Sequence, residues 1–163
     1  MNELYEELVE RIRGEASDLD RLVQRALWAW NRSEKVLEEQ DVYLDSVALN
    51  LHGFYSGLER LFELVARHID QDLPVGEMWH RDLLKRMARE MPNVRPAVIS
   101  ADRVSSLDEL RRFRHLVRNL YTFNLVPEKI KPLISNLPEL WSQVQAELLA
   151  FADFLAELAR AKQ

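Results

Sequence analysis

The sequence predicts an all-α protein, an up-and-down antiparallel bundle of four long helices joined by shorter ones. The chain of 163 residues contains only 4 glycines and 6 prolines, the residues that most often interrupt helices. Its apolar residues recur every three or four positions over long stretches, which is the spacing of amphipathic helices. A chain of 163 residues supports one hydrophobic core, so we expect a single domain spanning residues 1–163.

The composition excludes several classes of site and environment. There are no cysteines, and therefore neither disulfides nor thiolate metal sites. The four histidines lack the spacing of a metal site, and no glycine-rich phosphate loop or nucleophilic serine motif is present, so we expect no metal and no cofactor. No run reaches the ~18 apolar residues of a membrane span, and the N-terminus is acidic where a signal peptide is positively charged. We therefore expect a soluble, cytoplasmic protein that does not bind membranes.

Two long helices are predicted in the first half of the chain. The first runs from about Asn2 into the low thirties and contains Gly14 but no proline. A polar stretch at 33–41 separates it from the second, which has the clearest amphipathic pattern of the chain and ends near Asp70. A third, shorter helix is expected over residues 78–90, before Pro92 and Pro96.

The second half predicts a central helix and a last helix. Two overlapping capping boxes, beginning at Ser105 and Ser106, predict the start of the central helix. Pro127 predicts its end near Phe123 or Asn124, because proline cannot continue a helix. A short helical turn at 127–134 is then followed by Asn136, Pro138 and Glu139, which indicate the cap and first turn of a separate last helix.

The central helix carries a cationic ridge, formed by Arg111, Arg114, Arg118 and Tyr121 along the edge of its apolar stripe. One interpretation is structural, because arginine stems often lie on the edge of a core and pair with acids of a neighbouring helix. The other is that Arg114 and Arg118, with Arg111 beside them, bind phosphate, since a guanidinium fork matches phosphate oxygens. A net charge of -5 opposes a broad electrostatic grip on nucleic acid but leaves room for a local basic site.

Three further residues accompany the ridge as candidates. His115 is the histidine placed among these arginines, and histidines transfer protons near neutral pH, although a histidine on a helix flank is often structural. Tyr55 and Glu59, four residues apart on the polar flank of the second helix, are the candidates for a contribution from that helix. A salt bridge is the alternative role for Glu59.

Residues 114–121, Arg-His-Leu-Val-Arg-Asn-Leu-Tyr, resemble the Arg-x4-His-x-Tyr signature of HepT-type toxins, which belong to the HEPN superfamily of small helical domains. Segments 51–63, 79–84 and 113–118 are also similar to the HepT-like branch. The resemblance implies a HEPN-like bundle, commonly a homodimer in which the signature helices of two protomers line one cleft. It further implies, in active members, a metal-independent endoribonuclease whose tyrosine can be adenylylated by a partner nucleotidyltransferase antitoxin.

The signature matches at Arg114 and Tyr121, but its histidine position holds Asn119. An amide can hydrogen-bond a phosphate but cannot act as an acid or base near neutral pH. Either His115, directly after the signature arginine, takes over proton transfer, or the ridge binds without cleaving. The resemblance thus predicts the RNA-cleaving toxin of a toxin–antitoxin pair, and the alternative is a catalytically inactive HEPN module that binds a nucleotide, RNA or a partner nucleotidyltransferase.

Overall fold

The computed structural model describes residues 2–118 and 125–162, and within these ranges it is all-α, as the sequence predicts. The α-helices are α1 (Asn2–Lys35), α2 (Gln40–Val65), α3 (Trp79–Met87), α4 (Val104–Arg118) and α5 (Pro127–Ala161). Short 3-10 helices cover Leu37–Glu39 and Ala101–Arg103, and a π-helical turn covers Ala66–Asp70. In the described part of the chain, no helix is long and apolar enough to cross a membrane.

Helices α1 and α2 pack closely and run in opposite directions. Gly57 lies opposite Leu19, and Gly53, earlier in α2, lies opposite Leu22, later in α1. A Cβ at position 57 would come within 2.8 Å of Leu19 Cδ2. The absence of a side chain at Gly57 therefore sets the close approach of the two helices.

Helix α5 also runs antiparallel to α1 and closes the core. Trp141, early in α5, donates its indole N–H to Asp20 at 2.9 Å, whereas Asp153 pairs with Arg13 at 3.0 Å. Trp141 also meets Phe54 of α2 edge to face, with ring centroids 5.4 Å apart. These contacts place α5 against both α1 and α2, and the large side chains between them are fully buried.

The predicted break before the last helix is wrong, because α5 is continuous from Pro127 to Ala161 with Pro132 and Pro138 inside it. Pro127 occupies the first turn, where no intrahelical N–H bond is lost. The two inner prolines each remove one hydrogen bond. The stripe that continues through them is buried and offsets that loss: Ile130, Ile134, Leu137, Leu140, Trp141 and Val144.

The predicted capping boxes are also wrong, because α4 begins at Val104 and contains both Ser105 and Ser106. A 3-10 turn at Ala101–Arg103 leads into it, and Ser100 caps that turn by accepting a backbone N–H at 3.2 Å.

Glu147 of α5 explains this earlier start. It accepts the Ser100 backbone N–H at 2.6 Å and pairs with Arg103 at 3.1 Å, so a tertiary contact fixes the entry to α4. The predicted end of α4, near Phe123 or Asn124, lies outside the described residues.

Helix α3 lies within the predicted range 78–90 but ends earlier, at Met87. The Met87 carbonyl accepts backbone N–H groups from Val98 and Ile99, at 2.9 and 3.2 Å, instead of from a following helical turn. The chain after α3 therefore folds back on the end of the helix and terminates it.

Candidate functional site

The candidate site lies where α4 packs against α2. Leu107, Leu110 and Phe113 of α4 are buried, as the apolar stripe predicts, and Arg114 is half-buried beside them. Opposite lie Tyr55 and Glu59 of α2, both buried. The fold therefore brings Arg114 together with the two residues that the sequence suggests as contributors from the second helix.

Arg114 is held by two of its three nitrogens. Its Nε donates to Ser56 Oγ at 2.8 Å, and its Nη1 lies 3.5 Å from Glu59 Oε1. Within residues 2–118 and 125–162, Nη2 makes no hydrogen bond. The side chain is thus positioned while part of its donor capacity remains unused.

Glu59 connects Arg114 to α3. Its Oε2 lies 2.8 Å from His80 Nδ1, and the His80 ring stacks on Trp79 with centroids 3.6 Å apart. The side chain of Glu59 is only 5% exposed, so both partners help to satisfy a carboxylate that water scarcely reaches. Sequence reasoning missed His80, because no local pattern links it to a residue 21 positions earlier on another helix.

Arg111 is paired within its own helix. Its Nε donates to Asp108 Oδ1 at 2.7 Å, and Arg112 lies 3.4 Å from the other oxygen of the same carboxylate. The structural interpretation of the ridge predicts that its arginines pair with acids on a neighbouring helix. Glu59 meets that expectation for Arg114, whereas the acid for Arg111 is one turn away on α4.

Tyr55 is an unusual member of the cluster, because its hydroxyl is buried and has no hydrogen-bond partner among the described residues. Burial raises the pKa of Tyr55 well above its ordinary 10.0, and the negative charges of Glu59 and Asp108 raise that pKa further against the opposing effect of Arg111 and Arg114. The phenol therefore stays protonated at any physiological pH.

The remaining predicted residues divide into two groups. His115 is exposed, and because successive helical residues point about 100° apart, it emerges on a different side of α4 from Arg114. Arg118 ends α4, and its side chain lies outside what the structure describes, as do Asn119 and Tyr121 entirely.

A family model described as HepT-like protein matches residues 46–155, more than half of the 163 residues. The chain belongs to the HepT-like family. Searches among curated proteins and among solved structures each returned no match. The matched range of this HepT-like chain contains α3, α4 and the part of α2 from Ser46 onward, and hence the whole Arg114 cluster, whereas α1 precedes it.

Proposed function

We propose that this HepT-like chain is the toxin component of a toxin–antitoxin pair and acts on RNA as a metal-independent endoribonuclease. The supporting observation is the partly engaged guanidinium of Arg114, the residue that matches the signature arginine. Ser56 and Glu59 hold it at the α2–α4 contact, and among the described residues nothing accepts the N–H groups of its Nη2, which can donate to a phosphate oxygen.

In this proposal, fixed positive charge takes the place of a metal ion at the scissile phosphate. Arg114 contacts the phosphodiester, and Arg118 and Arg111 bind neighbouring phosphates, because guanidinium groups remain charged at any working pH. Arg111 contributes through the nitrogens that Asp108 does not occupy.

Proton transfer and regulation fall to the residues around Arg114. His115 is the acid or base, since its imidazole is exposed at the surface of α4. Asn119 hydrogen-bonds the substrate, and Tyr121 positions it or is adenylylated by a nucleotidyltransferase antitoxin. His115 and Arg114 emerge on different sides of one helix, so the proposal includes a homodimer in which α4 of each protomer lines a shared cleft.

Cleavage of a fluorescent RNA in EDTA tests this proposal. We expect the wild-type protein to cleave. His115→Ala should lose activity by roughly 100-fold or more, the usual contribution of a general acid or base. Arg114→Ala should lose activity by roughly 100-fold or more as well, because it removes a donor that stabilises charge on the phosphate. Arg112→Ala is the matched control, because Arg112 lies on the same helix with 64% of its side chain exposed. Equal activity in the wild type and both variants would contradict the assignment.

A second candidate is an interaction module that binds RNA, a nucleotide or a partner nucleotidyltransferase without cleaving. Two observations favour it: the signature histidine is replaced by Asn119, and the carboxylate of Glu59 already faces Arg114 at 3.5 Å. It predicts intact RNA in the cleavage assay together with a complex detectable by light scattering. Arg114→Ala should then weaken that complex.

A further inference from the structure

A second cationic surface lies on α1, where Arg21, Arg25, Trp28, Arg32 and Lys35 follow one another at intervals of four, three, four and three residues. This spacing places all five on one face of the helix. Trp28 is 59% exposed, far more than a large aromatic side chain in a core. The face therefore presents an aromatic ring between four cations.

This face borders a groove between α1 and α2, which we call the Trp28 groove. A cavity of about 370 Å³ is lined by Gln24, Arg25, Trp28 and Ser46. Tyr43 of α2 meets Trp28 edge to face, with ring centroids 5.8 Å apart, and thereby orients the indole at the mouth of the groove.

The cations of this face are less engaged than Arg111 and Arg114, each of which pairs with a carboxylate. Arg21, Arg25 and Lys35 are exposed, and none forms a salt bridge with a described residue. The guanidinium of Arg32 lies over the Tyr43 ring, 5.7 Å from its centroid. Glu34 is the acid within positions 21–35, and helical geometry turns it about 180° from Arg25.

We propose that the Trp28 groove binds single-stranded RNA, with one nucleobase stacked on Trp28 and the neighbouring phosphates held by Arg21, Arg25 and Lys35. Exposed aromatic rings interleaved with cations bind single strands, because every base has a stacking face and every nucleotide a negative charge. Gln24 and Ser46 supply hydrogen-bonding groups for a base edge inside the cavity. The positive face runs about 20 Å along α1, long enough for several nucleotides.

The choice of RNA rests on the proposed function, whereas the groove itself is separate from the α2–α4 cluster. A partner protein is the rival occupant of the Trp28 groove. Val42 and Leu49, 67% and 71% exposed, lie within about one turn of Ser46 on α2, and an apolar rim of this kind also suits a protein contact. The cations along this face of α1 favour RNA, a polyanion, over a protein partner.

Binding of a fluorescein-labelled 12-nucleotide 2′-O-methyl RNA, followed by anisotropy at two salt concentrations, separates this groove from any cleavage. We expect Trp28→Ala to weaken binding by about 5- to 100-fold, the usual loss when one base–aromatic stack is removed. Arg25→Glu should weaken binding and flatten its salt dependence. Arg67→Glu, in the π-helical turn that follows the far end of α2, is the matched control and should change affinity less than twofold.

The outcomes distinguish the groove from the cleavage site. Loss of binding in Trp28→Ala and Arg25→Glu, with circular dichroism unchanged, supports the groove even when the wild type cleaves no RNA. No binding by the wild type, or unchanged affinity in both variants, overturns it even when cleavage is observed. A shift from dimer to monomer in Trp28→Ala, with unaltered RNA affinity, assigns the surface to a protein contact and also overturns it.

Discussion

Two arginine–carboxylate pairs in this fold differ in how many of the arginine's nitrogens form hydrogen bonds. The Arg95 and Asp70 side chains are both 0% exposed and form two hydrogen bonds, of 2.6 and 2.9 Å. The third nitrogen of Arg95 donates to two backbone carbonyls at 3.0 Å each. The Arg114 side chain is 16% exposed. A single nitrogen, Nη1, approaches the Glu59 carboxylate, at the longer distance of 3.5 Å.

The difference indicates which arginine is structural. Every nitrogen of Arg95 is engaged, so this side chain can only fasten the segments around it. Arg114 is oriented by Ser56 and Glu59 but keeps one nitrogen uncommitted within the described residues. Arg95 is thus fully buried and fully hydrogen-bonded, whereas Arg114 is partly exposed and has unused donor capacity.

The largest expected effect is on the free energy of unfolding, when the Arg95–Asp70 pair is broken. Arg95→Ala should lower the free energy of unfolding by about 3–5 kcal/mol, because it leaves the Asp70 carboxylate buried without its cation. Urea denaturation followed by circular dichroism measures the change. Replacing both residues, as Arg95→Met with Asp70→Leu, should cost less than Arg95→Ala alone. A loss below about 1 kcal/mol for the single variant would remove the contrast between the two pairs.

The next effect concerns Glu59. Glu59→Gln should lower the free energy of unfolding by about 1–2 kcal/mol, because a charge-assisted contact becomes a neutral one. At the same time it should tighten RNA binding by about 2- to 5-fold, since the carboxylate no longer competes with phosphate for Arg114. Glu63→Gln, one turn further along α2, is the control for both measurements. Unchanged RNA affinity in Glu59→Gln would show that Arg114 is not a phosphate ligand.

Tyr55 gives a smaller effect near neutral pH. Tyr55→Phe should raise the free energy of unfolding by up to about 1 kcal/mol, because it removes a buried hydroxyl without a partner in the described structure.

The same substitution has a defined pH dependence. The pKa of Tyr55 is raised on folding, so the unfolded chain releases this proton first, from its ordinary value of 10.0 upward. The stability associated with the protonated phenol is complete below pH 10 and falls by about 1.4 kcal/mol per pH unit above it. Stability curves of wild type and Tyr55→Phe should therefore diverge above pH 10, with Tyr43→Phe as the control. Parallel curves would contradict a raised pKa of the Tyr55 phenol in the folded protein.

The smallest effect belongs to a surface pair. Arg13 and Asp153 are 51% and 73% exposed and lie 3.0 Å apart. Arg13→Ala should change the free energy of unfolding by less than about 0.5 kcal/mol, because water and salt screen the pair. A loss comparable with that of Arg95→Ala would mean that distance rather than burial governs these arginines.

Periodicity in the sequence was sufficient to predict helices α1 and α2 and the buried stripe of α4 formed by Leu107, Leu110 and Phe113. The extents of α1 and α2 follow from apolar spacing, because a helix must bury its apolar side. Both wrong boundaries have a tertiary cause: Glu147 anchors the entry to α4, and a buried stripe carries α5 through Pro132 and Pro138. Local signals for caps and breaks were overridden by contacts between distant segments.

The partners within the site were harder to predict than its members. Helical spacing identified Arg114 and Glu59 as candidates, since it reports which face of a helix each occupies. It carries no information on which side chain of another helix faces them, so neither the Glu59–His80 contact nor the placement of Ser56 was foreseen. The family resemblance identified the signature arginine, and the family match over residues 46–155 confirms the membership on which that identification depends.

The Arg95–Asp70 pair also acts as a non-covalent clasp. It joins residues 25 positions apart and closes a loop that carries α3. His80, at the start of that helix, lies 2.8 Å from Glu59, so the clasp helps to hold His80 beside the carboxylate. The buried Arg95–Asp70 pair is thereby connected, through α3, to the carboxylate that faces Arg114 at 3.5 Å.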